Sequence, residues 1–380
     1  MKHTLTISRL LPMLAILLLL ASCSSGRPDA QAGGNLLTHA ALLEMEQTDS
    51  FAVARVKDPW GKGRLLATYV LVDRRQPLPS RLPEGQVVRV PLERAVLTSA
   101  VHAALLDELG GAGRVAGLAD ADYVVGSRVK ALLTTQGGRV KPMGSSMQPD
   151  VEQMRAVGAD AVWVSPFENA GLGALATLGV PVIECADYME TSPLGRAEWM
   201  RFYGRLVGQG ERADSLFSAV ERAYTTLAQS VVQCREHRPT VVCDLPMGAT
   251  WYEPGGHSTM GRLLADAGSD YLWADRPESG SLTLDFESVF ARGHAADVWL
   301  VKYGAAAPLT YRQMATDNPR FARFAPWQKR RVWACNTLRV PFYEETPFHP
   351  ERLLADLVAI FHPSLLKGAK GDTYYAPLDE

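Results

Sequence analysis

Residues 196–234, RAEWMRFYGRLVGQGERADSLFSAVERAYTTLAQSVVQC, contain no proline and carry apolar side chains at helical spacing. Trp199, Phe202, Tyr203 and Leu206 begin the pattern, and Leu216, Phe217, Val220, Tyr224, Leu227 and Val231 continue it. Such spacing places apolar groups on one face of a helix. Gly208 and Gly210 interrupt the run, so it reads as one long helix or as two in succession. On either side the pattern changes to short apolar strands alternating with helices. Before it, strands are expected at Val87–Val90, Val115–Leu118, Ala161–Ser165 and Val180–Glu184, and helices at Ser99–Leu109, Asp150–Val157 and Leu172–Leu178. After it, strands are expected at Thr240–Asp244, Asp297–Val301 and Trp333–Cys335, and helices at Thr259–Ala267, Phe286–Arg292 and Pro350–Phe361. This alternation predicts α/β sheets covered on both faces. The expected fold is two Rossmann-like α/β lobes, 51–195 and 238–380, joined by a long helix over 196–237. A ligand cleft would lie between the lobes, and a helical joint would let it flex little.

The N-terminus has its own signature. Lys2, His3 and Arg9 precede an uncharged apolar run from Leu10 to Ala21, which ends at Ala21-Ser22-Cys23. The run is too short for a membrane span, which needs about 20 residues. A basic start, a short apolar core and small residues at the cut are the anatomy of a secretory signal. Residues 1–22 are therefore read as a signal peptide. The cysteine at the cut resembles a bacterial lipobox, which implies that Cys23 carries lipid and anchors the protein at a membrane outside the cytoplasm, in the periplasm or on the cell surface. Residues 23–50 are assigned to a flexible tether, with Ser24-Ser25-Gly26 and Gly33-Gly34 as its clearest part. A strand pair is expected ahead of the first lobe, at Phe51–Val56 and Leu65–Val72, around the turn Asp58-Pro59-Trp60-Gly61-Lys62-Gly63.

Composition narrows the function. The formal net charge is −2 and the charges are interspersed, which argues against a nucleic-acid surface. Cys185, Cys234, Cys243 and Cys335 lack CxxC spacing; Cys234 and Cys243 are either bridged or free. The histidines are scattered, with no HxH or HxxxH, so no dedicated metal cage is expected. Gly-x-Ser-x-Gly, Walker A, GxGxxG and His-Glu-x-x-His are absent, and no enzyme activity or resident cofactor is expected.

Three segments carry a family likeness. They are Val87–Leu109 followed by Arg114–Gly117; Asp150–Met154 followed by Gly158–Val162; and Phe286–Val289 followed by Ala296–Trp299, which repeats the second segment's pattern. From about Gln86 to Phe361 the chain resembles the helix-linked periplasmic binding proteins of ABC importers for iron chelates and cobalamin. The resemblance implies a monomeric carrier that hands a metal chelate to a membrane permease and its ATPase. The ligand would be a siderophore or haem, with cobalamin as the alternative. A surface lipoprotein that binds ligand without a transporter is a further reading. In that family one glutamate on each lobe docks into arginine pockets of the permease, and Glu152 and Glu287 fall on the matching positions.

Ligands of open α/β sheets meet the loops beyond the carboxyl ends of the strands. Those loops nominate Ser99, Phe167 and Tyr188 on the first lobe, and Trp251, Tyr252, Tyr303, Arg339, Phe342 and Tyr343 on the second. Ser99 either caps a helix or presents its N–H groups to an anion. Trp251 and Tyr252 either wall the cleft or pack between helix and strand. Arg339 pairs a carboxylate of the ligand or one of the protein. Tyr252, His257 or Tyr343 would suit as an axial ligand to haem or corrinoid.

Overall fold

The computed structural model describes residues 34–61, 63–125, 128–134, 138–366 and 374–380. The expected signal peptide, residues 1–22, and Cys23 lie outside the described residues. Two five-stranded sheets form the lobes. The first runs Val182–Glu184, Ala161–Val164, Ala95–Leu97, Val115–Leu118, Lys141–Pro142, and every pairing is parallel. Val96, Leu97, Val162, Trp163 and Ile183 are buried, as strands covered on both faces require. Chain order reverses between Ala95–Leu97 and Ala161–Val164, and such a switch point opens a crevice beyond the strand ends.

The second sheet runs Asp270–Tyr271, Thr240–Cys243, Val298–Tyr303, Val332–Asn336, Ala376–Pro377, with the last strand antiparallel. Its switch point lies between Thr240–Cys243 and Val298–Tyr303. At those strand ends, Lys302 Nζ lies 2.8 Å from both carboxylate oxygens of Asp244.

The connector is not one helix over 196–237. It comprises Pro193–Glu198, Met200–Leu206 and Gly210–Val232. Gly208 makes the break at φ +73°, a conformation side-chain-bearing residues avoid. The Gly208 N–H donates to the Arg205 carbonyl and the Gln209 N–H to the Gly204 carbonyl, the paired bonds of a Schellman stop. The long helix then buries Ala213, Phe217, Val220, Tyr224 and Val231, one face at intervals of three, four and seven. That face packs on Met200–Leu206 and on Pro350–Phe361 of the second lobe.

Two expectations near the N-terminus are corrected. Residues 36–50 are not tether: Leu43–Gln47 is a strand, and it opens a four-stranded sheet with Ala52–Lys57, Leu65–Asp73 and Gln86–Val90. Val87–Val90 therefore belongs to this sheet, and the first lobe opens with Ala95–Leu97. The expected strand pair is its central hairpin. Two buried acids hold the sheet's leading segment. Glu198 accepts the N–H groups of Thr38, His39 and Ala40 at 2.7–3.1 Å. Glu190 accepts those of Ala41 and Leu42 at 3.1 and 2.8 Å. An anion amid several converging N–H groups is a strong local clamp. Four-residue apolar strands alone would not have revealed it, because the acceptors lie about 150 residues away in sequence.

Candidate ligand-binding cleft

The first sheet's switch point opens into a cavity of about 900 Å³, within the usual range for small-molecule sites. Thr98 and Ser99 follow one central strand, Val164 ends the other and Ser165 and Pro166 follow it, and all five line the cavity. Loops at 120–123, 146–149 and 170–175 complete the wall, and Thr337, Leu338, Tyr343 and Glu344 reach over from the second lobe. The lobes are fastened beside the cavity. Glu344 accepts the Val125 N–H at 2.6 Å, and His349 of the second lobe lies 2.6 Å from Glu108 of the first. Burial alone would lower the His349 pKa, but its pairing with Glu108 and Glu351 raises it to about 9.

Of the side chains nominated from sequence, Ser99, Phe167 and Tyr343 line this cavity. Ser99 serves as a helix cap, accepting the Val101 N–H at 3.3 Å. Phe167 and Tyr343 are about half exposed, at 50% and 57%. Tyr188 stands behind the wall: its hydroxyl donates to the Pro166 carbonyl and its ring lies 6.5 Å from that of Phe167.

The others are displaced from the cavity. Trp251 is fully buried, donates its indole N–H to the Cys243 carbonyl at 2.7 Å and stacks on Trp299. The reason is local: Trp251–Pro254 is a strand, and its period-two alternation turns Trp251 and Glu253 inward and Tyr252 outward. Tyr252 is exposed away from the cavity lining. Phe342 is buried against Tyr374 and Tyr375. Tyr303 offers its backbone, accepting the Thr337 N–H at 2.8 Å, which holds the loop that reaches the cavity. Among the described residues Arg339 pairs with no carboxylate, and it donates to the Ala306 carbonyl at 2.5 Å.

Sequence reasoning missed Asp120, Tyr123, Met147, Glu184 and Leu338, all in the lining. Tyr123 and Met147 are 71% and 69% exposed, and with Phe167, Leu172, Leu338 and Tyr343 they gather exposed apolar surface in one lining, as a binding groove does. Asp120 and Tyr123 follow the strand Val115–Leu118, so the rule that chose Ser99 and Phe167 would have reached them. Glu184 sits at the end of its strand, where the Tyr69 hydroxyl accepts its backbone N–H at 2.8 Å. Burial, then the nearby Asp58 charge, raises its pKa to about 7.

The described lining contains three acids, Asp120, Glu184 and Glu344, and no lysine, arginine or histidine. Several hydroxyls and exposed aromatic faces accompany them. Such a wall suits a bulky ligand that is neutral or cationic over the surface it presents.

The comparisons with known proteins agree with this architecture. Residues 95–336 match the periplasmic binding protein family. The chain belongs to that family. An uncharacterized lipoprotein of Methanocaldococcus jannaschii is 24% identical over 317 residues, 80% of this chain and 74% of the relative. The structure of an ABC-type Fe3+-hydroxamate transport system protein from Saccharomonospora viridis shares the fold at TM-score 0.57 and 19% identity, covering 72% of this chain and 94% of the other. The molybdate periplasmic binding protein MolA of Haemophilus influenzae gives TM-score 0.59 at 13% identity, covering 75% and 90%. These identities establish the fold alone; the two proteins take different ligands. As a periplasmic binding protein the chain falls in a family of ABC-type solute-binding proteins. No helix among the described residues is long and apolar enough to cross a membrane.

Glu152 and Glu287 occupy equivalent places. Each is the second residue of a helix, Val151–Ala156 or Phe286–Gly293, capped by Asp150 or Asp285. Their side chains are 82% and 76% exposed, and each meets one arginine at 2.8 Å, Arg155 or Arg320.

Proposed function

We propose that this protein is the extracytoplasmic substrate-binding component of an ABC importer, capturing a metal chelate and delivering it to a permease and its ATPase. The cavity at the first lobe's switch point carries this reading. Its volume suits a chelate rather than a bare ion. Among the described residues, no group of three His, Cys, Asp or Glu ligand atoms converges within the cavity. An iron siderophore is the favoured ligand; the acidic, hydroxyl-rich wall suits a neutral or cationic ferric complex. Haem and cobalamin are the alternatives, and of Tyr252, His257 and Tyr343 it is Tyr343 that lines the cavity and would serve as an axial ligand. Lipid on Cys23 would hold the carrier near its permease and raise its effective concentration there.

The test is to purify the protein from its native host and record its absorption spectrum, then titrate the stripped protein with a ferric hydroxamate, haem and cobalamin. A broad charge-transfer band and saturable one-to-one binding of the ferric complex are expected. A Soret or corrin spectrum would transfer the assignment to haem or cobalamin. No saturable binding of any of the three would sink the chelate reading. Unimpaired uptake of the bound chelate after deletion of the gene would favour a surface binder without a transporter.

A further inference from the structure

The geometry points to a second site, remote from the cleft, that binds one zinc-class divalent cation through Cys234, Glu236 and His362. Cys234 and Glu236 follow the connector helix Gly210–Val232, and His362 ends the helix Pro350–Phe361. Cys234 Sγ lies 3.9 Å from His362 Nδ1, and Glu236 Oε2 lies 3.6 Å from the same nitrogen. The three ligand atoms all lie within 4.8 Å of one another. Ligands around one tetrahedral zinc, with bonds of about 2.0–2.3 Å, sit about 3.3–3.7 Å apart. The Cys234–His362 pair is a few tenths of an ångström too wide for this, and small rotations of the Cys234 and Glu236 side chains would close the set.

The surroundings match those of a metal ligand set. His362 Nε2 lies 3.1 Å from the Gly268 carbonyl. A proton on Nε2 leaves the Nδ1 lone pair aimed at Cys234 and Glu236, the arrangement that orients a ligating histidine. Residue 268 has to be glycine for this contact. Its φ is +81°, and a Cβ there would stand 2.6 Å from His362 Nε2. The other carboxylate oxygen of Glu236 accepts the Ser364 hydroxyl at 2.5 Å. The His362 side chain is 2% exposed and that of Glu236 46%, so a fourth position would open toward solvent and take water. Cys185, Cys243 and Cys335 are buried, while Cys234 is only partly covered.

Thiolate, imidazole and carboxylate together suit zinc rather than magnesium or calcium. On binding, the Cys234 S–H bond breaks, sulfur keeps the electron pair for the metal, and one proton leaves to solvent. The ion would tie the end of the connector to the end of the second-lobe helix Pro350–Phe361.

The test uses the full mature protein in detergent, reduced and stripped with chelator, titrated with Co2+ and then Zn2+. One equivalent of Co2+ should produce a thiolate-to-cobalt charge-transfer band, and Zn2+ should displace it. Cys234→Ser should remove the band. No saturable band in the wild type, or the same band in Cys234→Ser, overturns the site. Should Cys234→Ser fail to fold, Glu236→Gln at the exposed carboxylate serves. It should melt like wild type without metal and bind zinc about tenfold or more weakly; unchanged affinity overturns the site.

Discussion

Glu184 lines the cavity without a described cation beside it in the lining, and its titration can be worked through. Burial, then Asp58, raises its pKa from 4.5 to about 7. Below pH 4.5 the carboxyl is protonated in the folded and unfolded chains alike. As pH rises past 4.5 the unfolded chain releases the proton and the folded chain keeps it, so stability falls until the folded group ionises near 7. A gap of about 2.5 pH units corresponds to about 3 kcal/mol. Water reaches this half-buried group, and the expected effect is reduced to about 1–2 kcal/mol. Glu184→Gln keeps the shape and cannot ionise. Urea unfolding of both proteins at pH 4 and pH 8 measures the difference. The two should match within about 0.5 kcal/mol at pH 4, and the variant should be more stable by about 1–2 kcal/mol at pH 8. A difference that does not change with pH would refute the reasoning. Saturating cationic ligand should reverse the order at pH 8, because a positive charge beside the carboxylate favours its ionised form.

Two further perturbations separate the surfaces of the molecule. Trp251→Ala should destabilise the fold by about 3–5 kcal/mol, because the indole is fully buried against Trp299, while the folded protein keeps its ligand affinity; calorimetry after thermal melting checks both. Replacing Glu152 and Glu287 together by alanine should abolish uptake in cells and leave affinity in solution unchanged, as removal of two exposed, symmetrically placed docking charges would; normal uptake by the double variant would exclude docking through these residues.

Much of the fold was legible because burial imposes a period. The strands at 115–118, 161–164, 240–243 and 298–303 and the helices at 151–156, 259–266, 286–293 and 350–361 fall where alternating apolar runs place them. Two misreadings have one cause. Gln86–Val90 looks like a lobe strand and Leu43–Gln47 lies in what looks like tether, because a strand's sequence does not say which sheet it joins. Trp251 and Tyr252 failed differently. The alternation that buries one and exposes the other was present in Trp251–Pro254, but the segment was read as a loop beyond the strand Thr240–Asp244.

The sequence by itself determined the α/β class and the helical joint, since each rests on spacing along one chain, while the paired glutamates came through the family resemblance. It also carried the resemblance to a lipobox at Cys23. Only the tertiary structure decided where the cavity opens. That depends on the strand order in the first sheet, on loops that converge from residues 98 to 184, and on a second-lobe segment at 337–344. The sign of the wall, acidic through Asp120, Glu184 and Glu344, was equally hidden. Charge in a site is a property of which side chains face one another across space, and the distances along the chain between these three give no hint of it.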